Sequence, residues 1–129
     1  MGQHVEVDFI PVFKALGDET RLRIVNLLLQ GEVPLCVCEM TDALDLPQYH
    51  VSLHLIILKN TGLVEARRDG TWIYYSIAEN IAECVHDLLA VVKKHFKKNY
   101  GKDMVRLKKR LEKREAERCV VGFLQNDAK

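Results

Sequence analysis

Helical spacing of apolar residues recurs in six stretches of this chain, and two short runs of β-forming residues lie between the fourth stretch and the fifth. Residues 5–16 carry Val7, Ile10, Val12, Phe13 and Leu16, which predicts a short helix ending at Gly17, with Pro11 either in its first turn or kinking it. Asp18 is a good N-cap for a second helix, whose stripe of Leu22, Val25, Leu28 and Leu29 should be buried and which closes at Gly31. Residues 32–35 read as an extended entry, because the residue before Pro34 is pushed out of the helical region. A third helix runs from about Cys36 to Ala43, with Val37, Met40 and Leu44 as core positions.

Asp45-Leu46-Pro47 is a turn, and proline is well placed in the first turn of the next helix, which runs to Asn60 and stops at Thr61-Gly62. Two helices this short, joined by so tight a turn, have the spacing of a helix-turn-helix. Residues 63–68 and 72–77 are two β-prone runs with Asp69-Gly70 between them, a strong hairpin signal. A helix-turn-helix followed at once by a hairpin is the winged-helix arrangement. Residues 79–98 return to helical period through Ile81, Val85, Leu88, Val92 and Phe96, and in so small a domain such a helix commonly supplies a dimer interface. Beyond Gly101, residues 102–118 predict a charged helix with a narrow seam of Met104, Leu107 and Leu111, solvated on most faces, and Cys119 to Phe123 read as a tail. The expected fold is mainly α with a β-hairpin wing: a dimeric winged helix-turn-helix with a C-terminal helical extension. Residues 1–100 form the DNA-binding and dimerisation domain, and residues 101–129 a basic helical extension and tail.

The helix over 47–60 buries Val51, Leu55 and Leu58 and turns Gln48, Tyr49, Ser52, Leu53 and Ile56 the other way. The N-terminal part of a recognition helix meets base edges in the major groove. Gln48 suits adenine, Ser52 a base or a phosphate, and Leu53 a thymine methyl, while Tyr49, His50 and Lys59 reach for phosphates. Arg67 and Arg68, beside the hairpin turn, are placed to touch the backbone or the adjacent minor groove. His54 lies beside the core stripe and reads as a packed, hydrogen-bonded histidine.

Composition changes this picture in two places. With 129 residues, 48% of them apolar, the chain supports one domain core. No apolar run approaches the ~18–20 residues of a membrane span, and no signal pattern opens the chain, so a cytoplasmic protein without a membrane partner is expected. Thiols stay reduced there, and the four cysteines read as metal-binding or redox-active before they read as disulfides. The net charge of +1 gives no hint of nucleic acid; residues 102–118 hold eight Lys and Arg against four Asp and Glu, leaving 11 against 14 elsewhere. The chain has no glycine-rich phosphate loop, nucleophile elbow or paired carboxylates flanking a cleft, so it is not expected to be an enzyme and no organic cofactor is implied.

Cys36 and Cys38 stand two residues apart at the start of the third helix. On a regular helix such residues project about 200° apart, but in an extended stretch or a frayed first turn they converge. A helix N-terminus lowers a thiol pKa and favours the thiolate that binds soft metals. Gripping one soft ion with both sulfurs would distort the helix just before the recognition helix. Cys84 lies beside the stripe of residues 79–98 and reads as a small core residue. Cys119, following the charged helix, is the candidate third ligand.

The residues Leu16-Gly17-Asp18-Glu19-Thr20-Arg21-Leu22-Arg23-Ile24, Leu35-Cys36-Val37-Cys38-Glu39-Met40, Val51-Ser52-Leu53-His54-Leu55, Leu58-Lys59, Gly62-Leu63-Val64 and Arg67-Arg68-Asp69-Gly70-Thr71-Trp72-Ile73-Tyr74-Tyr75 resemble the arsenic-repressor (ArsR/SmtB) family of winged-helix metalloregulators. The resemblance covers roughly residues 9–98, and Leu-Cys-Val-Cys is specific to the family's thiolate-metal branch. It implies a homodimer that represses its operon from double-stranded operator DNA and leaves when As(III) or Sb(III) binds cysteine thiolates, with Cys36 and Cys38 as ligands. Three departures from the family pattern stand out. Thr41 stands where some arsenic sensors carry a further cysteine, and Leu53 replaces the usual basic residue between serine and histidine. His86 and His95 do not meet the spacing of the zinc-sensing branch. The alternative is the same fold sensing Cd(II) or Pb(II), or thiol oxidation, through Cys36 and Cys38.

Overall fold

The computed structural model describes residues 8–115 and 118–122. Its elements run α1 (Phe9–Leu16), α2 (Glu19–Gly31), β1 (Leu35–Cys36), α3 (Val37–Leu44), α4 (Gln48–Thr61), β2 (Val64–Asp69), β3 (Trp72–Ile77), α5 (Glu83–His95) and α6 (Gly101–Leu111). The arrangement is a winged helix-turn-helix, mainly α. The hairpin is widened to three antiparallel strands, in the order β1-β3-β2, by the pairing of Leu35 and Cys36 with Tyr75 and Tyr74. No described helix is long and apolar enough to cross a membrane.

In α1 the Asp8 carboxylate accepts the Ile10 N–H at 3.1 Å, and Pro11 falls in the first turn, where its missing N–H costs nothing. The helix packs on α2 and α4 through Val12 and Ala15. Ile10 and Phe13, expected inside, stand 59% and 54% exposed, because they lie on the side away from that contact. Val7 of the expected stripe is outside the described residues.

Asp18 caps α2, its carboxylate accepting the Arg21 N–H at 3.1 Å. The buried face is Ile24 through Leu28, wider than the expected stripe, with Leu22 and Leu29 only half-buried. The cause is position: α1, α3, α4, α5 and α6 all pack on α2, so the rule for a helix with one solvated face fails. Nor does Gly31 end the helix by its own conformation; Glu32 takes the left-handed turn at φ 60°. Gly31 serves close approach instead, since a Cβ there would lie 3.1 Å from Leu107 Cδ2 of α6.

α3 ends at Asp45, left-handed at φ 57°, and Leu46-Pro47 lead into α4, which buries Val51, Leu55 and Leu58. Gly62, at φ 87°, caps α4, and the Leu63 N–H reaches back to the Leu58 carbonyl at 3.2 Å, a Schellman closure that favours glycine. The wing pairs in register from Val64↔Ile77 to Asp69↔Trp72, so its loop is Gly70-Thr71, one residue later than the expected Asp69-Gly70.

The expected helix over 79–98 is shorter, and α5 buries Val85, Leu89 and Val92, leaving Ile81, Leu88 and Phe96 half-buried. Cys84 is exposed rather than a core residue, because it sits one residue ahead of that inward set. α6 stops at Leu111 instead of continuing to 118, and its buried residues are Asp103, Leu107 and Arg110. A charged helix is docked here because its charges are paired across the contact: Asp103 with Arg23 of α2 at 2.8 Å, Arg110 with Asp42 of α3 at 2.6 Å.

Candidate metal centre and DNA-facing surface

Cys36 closes β1 and is also the N-cap of α3, extended at φ −86° and ψ 163°. Because Cys36 is extended and Cys38 lies in the first helical turn, their sulfurs converge to 3.0 Å. Cys119, 81 residues beyond Cys38, lies 3.0 Å from Cys36 Sγ and 3.5 Å from Cys38 Sγ. All three side chains are buried, under Trp72 and Tyr74. The chain after α6 is therefore not a loose tail at Cys119, which is 1% exposed. Among the described residues no further histidine, cysteine or carboxylate joins this trio.

What brings Cys119 there is a series of arginines four residues apart, which composition had presented only as a basic extension. Arg106 donates to the Ala43 carbonyl at 2.7 Å, Arg110 to Asp42 at 2.6 Å and Arg114 to Glu39 at 2.6 and 2.7 Å, running down α3 toward its N-terminus. Arg118 pairs with Asp69 at the wing tip. Arg110 also holds the carbonyls of Val121 and Gly122, the latter at 2.7 Å. The signal in the sequence was the four-residue period of the arginines, matched by acidic residues on the third helix.

Glu39 completes the centre's floor. It is fully buried, and its carboxylate accepts the Cys36 N–H at 3.1 Å, capping α3. Burial alone would raise its pKa, but the Arg114 guanidinium and the Cys36 N–H outweigh that and hold the carboxyl below its usual range. Cys36 and Cys119 go the other way. Hydrogen bonding to Cys38, then burial, pushes Cys36 well up, and burial followed by the bond to Cys36 raises Cys119 to about 11. The expected lowering by a helix N-terminus is thus reversed at Cys36 by the hydrogen bond to Cys38 and by desolvation. Cys36 and Cys119 thus favour the neutral thiol, and binding a soft ion must release their protons.

Thiolates around a tetrahedral ion with bonds of about 2.3 Å sit about 3.8 Å apart. The sulfurs here are closer, at 3.0, 3.0 and 3.5 Å, and three in number, so all three can turn toward one ion.

On α4, Tyr49 is 74% exposed and Leu53 54% exposed, and Ile56 and Lys59 also face solvent. Gln48 and Ser52 are half-buried and bonded to each other at 2.6 Å, Gln48 donating to the Ser52 hydroxyl. His50 is half-buried between Tyr49 and His54, ring centroids at 6.2 and 5.1 Å. Arg67 and Arg68 are exposed in β2 and, being adjacent in a strand, point to opposite faces of the wing. His54 is packed: its Nδ1 accepts from Arg21, whose guanidinium also donates to the carbonyls of Ala15 and Lys14. Arg21 thereby joins α1, α2 and α4. His86 and His95 are exposed, away from the sulfurs.

Residues 18–66 match the sequence model of the family described as bacterial regulatory protein, arsR family. An uncharacterised HTH-type transcriptional regulator of Methanocaldococcus jannaschii is 48% identical over 69 residues, covering 54% of this chain and 76% of the relative. The arsenic resistance transcriptional regulator ArsR1 of Pseudomonas putida is 41% identical over 90 residues, covering 68% and 70%. Among solved structures, the homodimeric winged helix-turn-helix DNA-binding domain of a possible ArsR-family regulator from Mycobacterium bovis superposes with a TM-score of 0.57 at 32% identity, covering 75% of this chain and 93% of that one.

Proposed function

The chain belongs to the arsR family of bacterial regulatory proteins, and we propose that it is a homodimeric repressor, bound to operator DNA while its thiols are free and released when As(III) or Sb(III) binds Cys36, Cys38 and Cys119. The observation that carries this is the buried trio of sulfurs, within 3.0–3.5 Å of one another, at the N-cap of α3. Arsenous acid offers three hydroxyls to three thiols: each As–O bond is replaced by an As–S bond, and each thiol proton leaves with a hydroxide as water. Seating three thiolates around one ion re-spaces the sulfurs and acts on the cap of α3, because Cys36 is that cap. That helix packs on α4 and is joined to it by the Asp45-Leu46-Pro47 turn, so a shift there is felt by the recognition helix.

α4 enters the major groove, with Gln48 and Ser52 at base edges, Leu53 against a thymine methyl, and Tyr49, His50 and Lys59 toward phosphates. Arg67 and Arg68 of the wing meet the backbone or the neighbouring minor groove. Apolar side chains left exposed on α1 (Ile10, Phe13) and α5 (Val91) support pairing with a second copy.

The test is release of a fluorescent operator duplex titrated with As(III), Sb(III), Cd(II), Zn(II) and peroxide. As(III) and Sb(III) should release DNA at the lowest concentrations, and Cys36→Ser or Cys38→Ser should bind DNA but no longer let go. Three soft thiolates are also acceptable to Cd(II) or Pb(II). Release chiefly by those ions, or by peroxide, would transfer the signal to metal or thiol oxidation at Cys36 and Cys38.

A further inference from the structure

Tyr74 occupies a junction that DNA binding and sulfur ligation leave unused. In β3 it is the Cα partner of Cys36 on one side and of Arg67 on the other. Directly opposed residues of an antiparallel ladder share a face. Cys36, Tyr74 and Arg67 therefore form one row across the sheet, with the thiol centre at one end and a wing arginine at the other. The Tyr74 hydroxyl accepts the backbone N–H of Cys119 at 2.8 Å, although Cys119 arrives from 45 residues away. The Tyr74 ring lies under the Arg114 guanidinium, 5.6 Å from its centroid, and that guanidinium grips the Glu39 carboxylate that caps Cys36. On the open side of the row, Arg67, Tyr74, Arg114 and Arg118 line a cavity of about 420 Å³.

A buried N–H left without an acceptor is strongly disfavoured. The phenol oxygen is the acceptor that the structure gives to the Cys119 N–H, so it fixes the third sulfur at its own residue where the arginines hold the neighbouring chain.

We propose that Tyr74 is a positioning residue of the thiol centre: its hydroxyl seats Cys119 against Cys36 and Cys38, and its row transmits the state of the centre to Arg67 in the wing. This assignment rests on the proposed metalloid centre for its purpose, and on the fold alone for its geometry.

Tyr74→Phe removes the acceptor and keeps the ring. In metal-free protein, Cys119 in this variant should react with an alkylating reagent about tenfold faster than in wild type, while amide exchange in α2 and α4 stays unchanged. Arsenite binding, followed by sulfur-to-arsenic absorption in the near ultraviolet, should weaken about tenfold. In a Cys119→Ser background the same substitution should cost nothing further. Arsenite should alter exchange of the Arg67 and Arg68 amides in wild type and do so less in Tyr74→Phe. An unchanged alkylation rate, or an equal loss of arsenite affinity with Cys119 absent, overturns the positioning role. Wing amides that ignore arsenite in wild type overturn the transmission. If wild type binds no arsenite, the proposed inducer fails, and the alkylation result still decides whether Tyr74 seats Cys119.

Discussion

Glu39 is the residue on which the centre's geometry turns, because it is fully buried, caps Cys36 and is matched by Arg114. Breaking a buried ion pair by removing one charge leaves the other uncompensated and typically costs about 3–5 kcal/mol. Glu39→Gln should therefore lower unfolding free energy by about 3 kcal/mol in denaturant melts. Cys38→Ser, by contrast, should be mild. His54 gives a pH signature. Burial lowers its pKa, with Asp18 opposing and Arg21 adding to the fall, so the folded state binds its proton less readily than the unfolded chain does. The resulting stability is present above the ordinary histidine value of about 6.5 and is lost as pH falls through the folded value. His54→Gln should flatten that acid-side slope, and NMR titration should show the His54 pKa below 6.5 in wild type.

Among the elements, the convergence of Cys36 and Cys38 was legible in sequence, because it depends on local backbone alone: extended before Val37, helical after it. The turn at Asp45-Leu46-Pro47 and the wing were legible for the same reason. α6 was not. Its apolar seam is narrow, and its docking depends on Arg106, Arg110 and Arg114 finding partners on α3, between 63 and 75 residues away. Hydrophobic periodicity carries no record of such pairings. The wide burial of α2 was hidden likewise, since a local stripe does not reveal that five other helices will surround it. At the junction between α4 and the wing, Gly62 has open space for a Cβ but a φ of 87°, so Gly62→Ala should cost about 1–2 kcal/mol through backbone conformation alone. Thermal melting of that variant, with a helical spectrum like wild type, checks this.

For the whole molecule, the recognition helix and the thiol centre are separated by a single helix, α3, and the wing touches the centre through β1 and β3. Both elements proposed to face DNA are thus mechanically adjacent to the sulfurs. The near-neutral net charge of +1 sets no strong long-range field, so DNA affinity should come from a few phosphate contacts. Its log–log salt slope should be about −0.9 per contact, and a flat response would remove the DNA assignment.

The most direct measurement of the central claim is arsenite titration of operator-bound wild type beside Cys119→Ser. Wild type should release DNA with one arsenic per protomer. Cys119→Ser should hold the operator as tightly before arsenite and need at least about tenfold more arsenite for half-release, equivalent to ~1.4 kcal/mol or more. Identical release curves would contradict the account, because the third sulfur would then have no part in the switch.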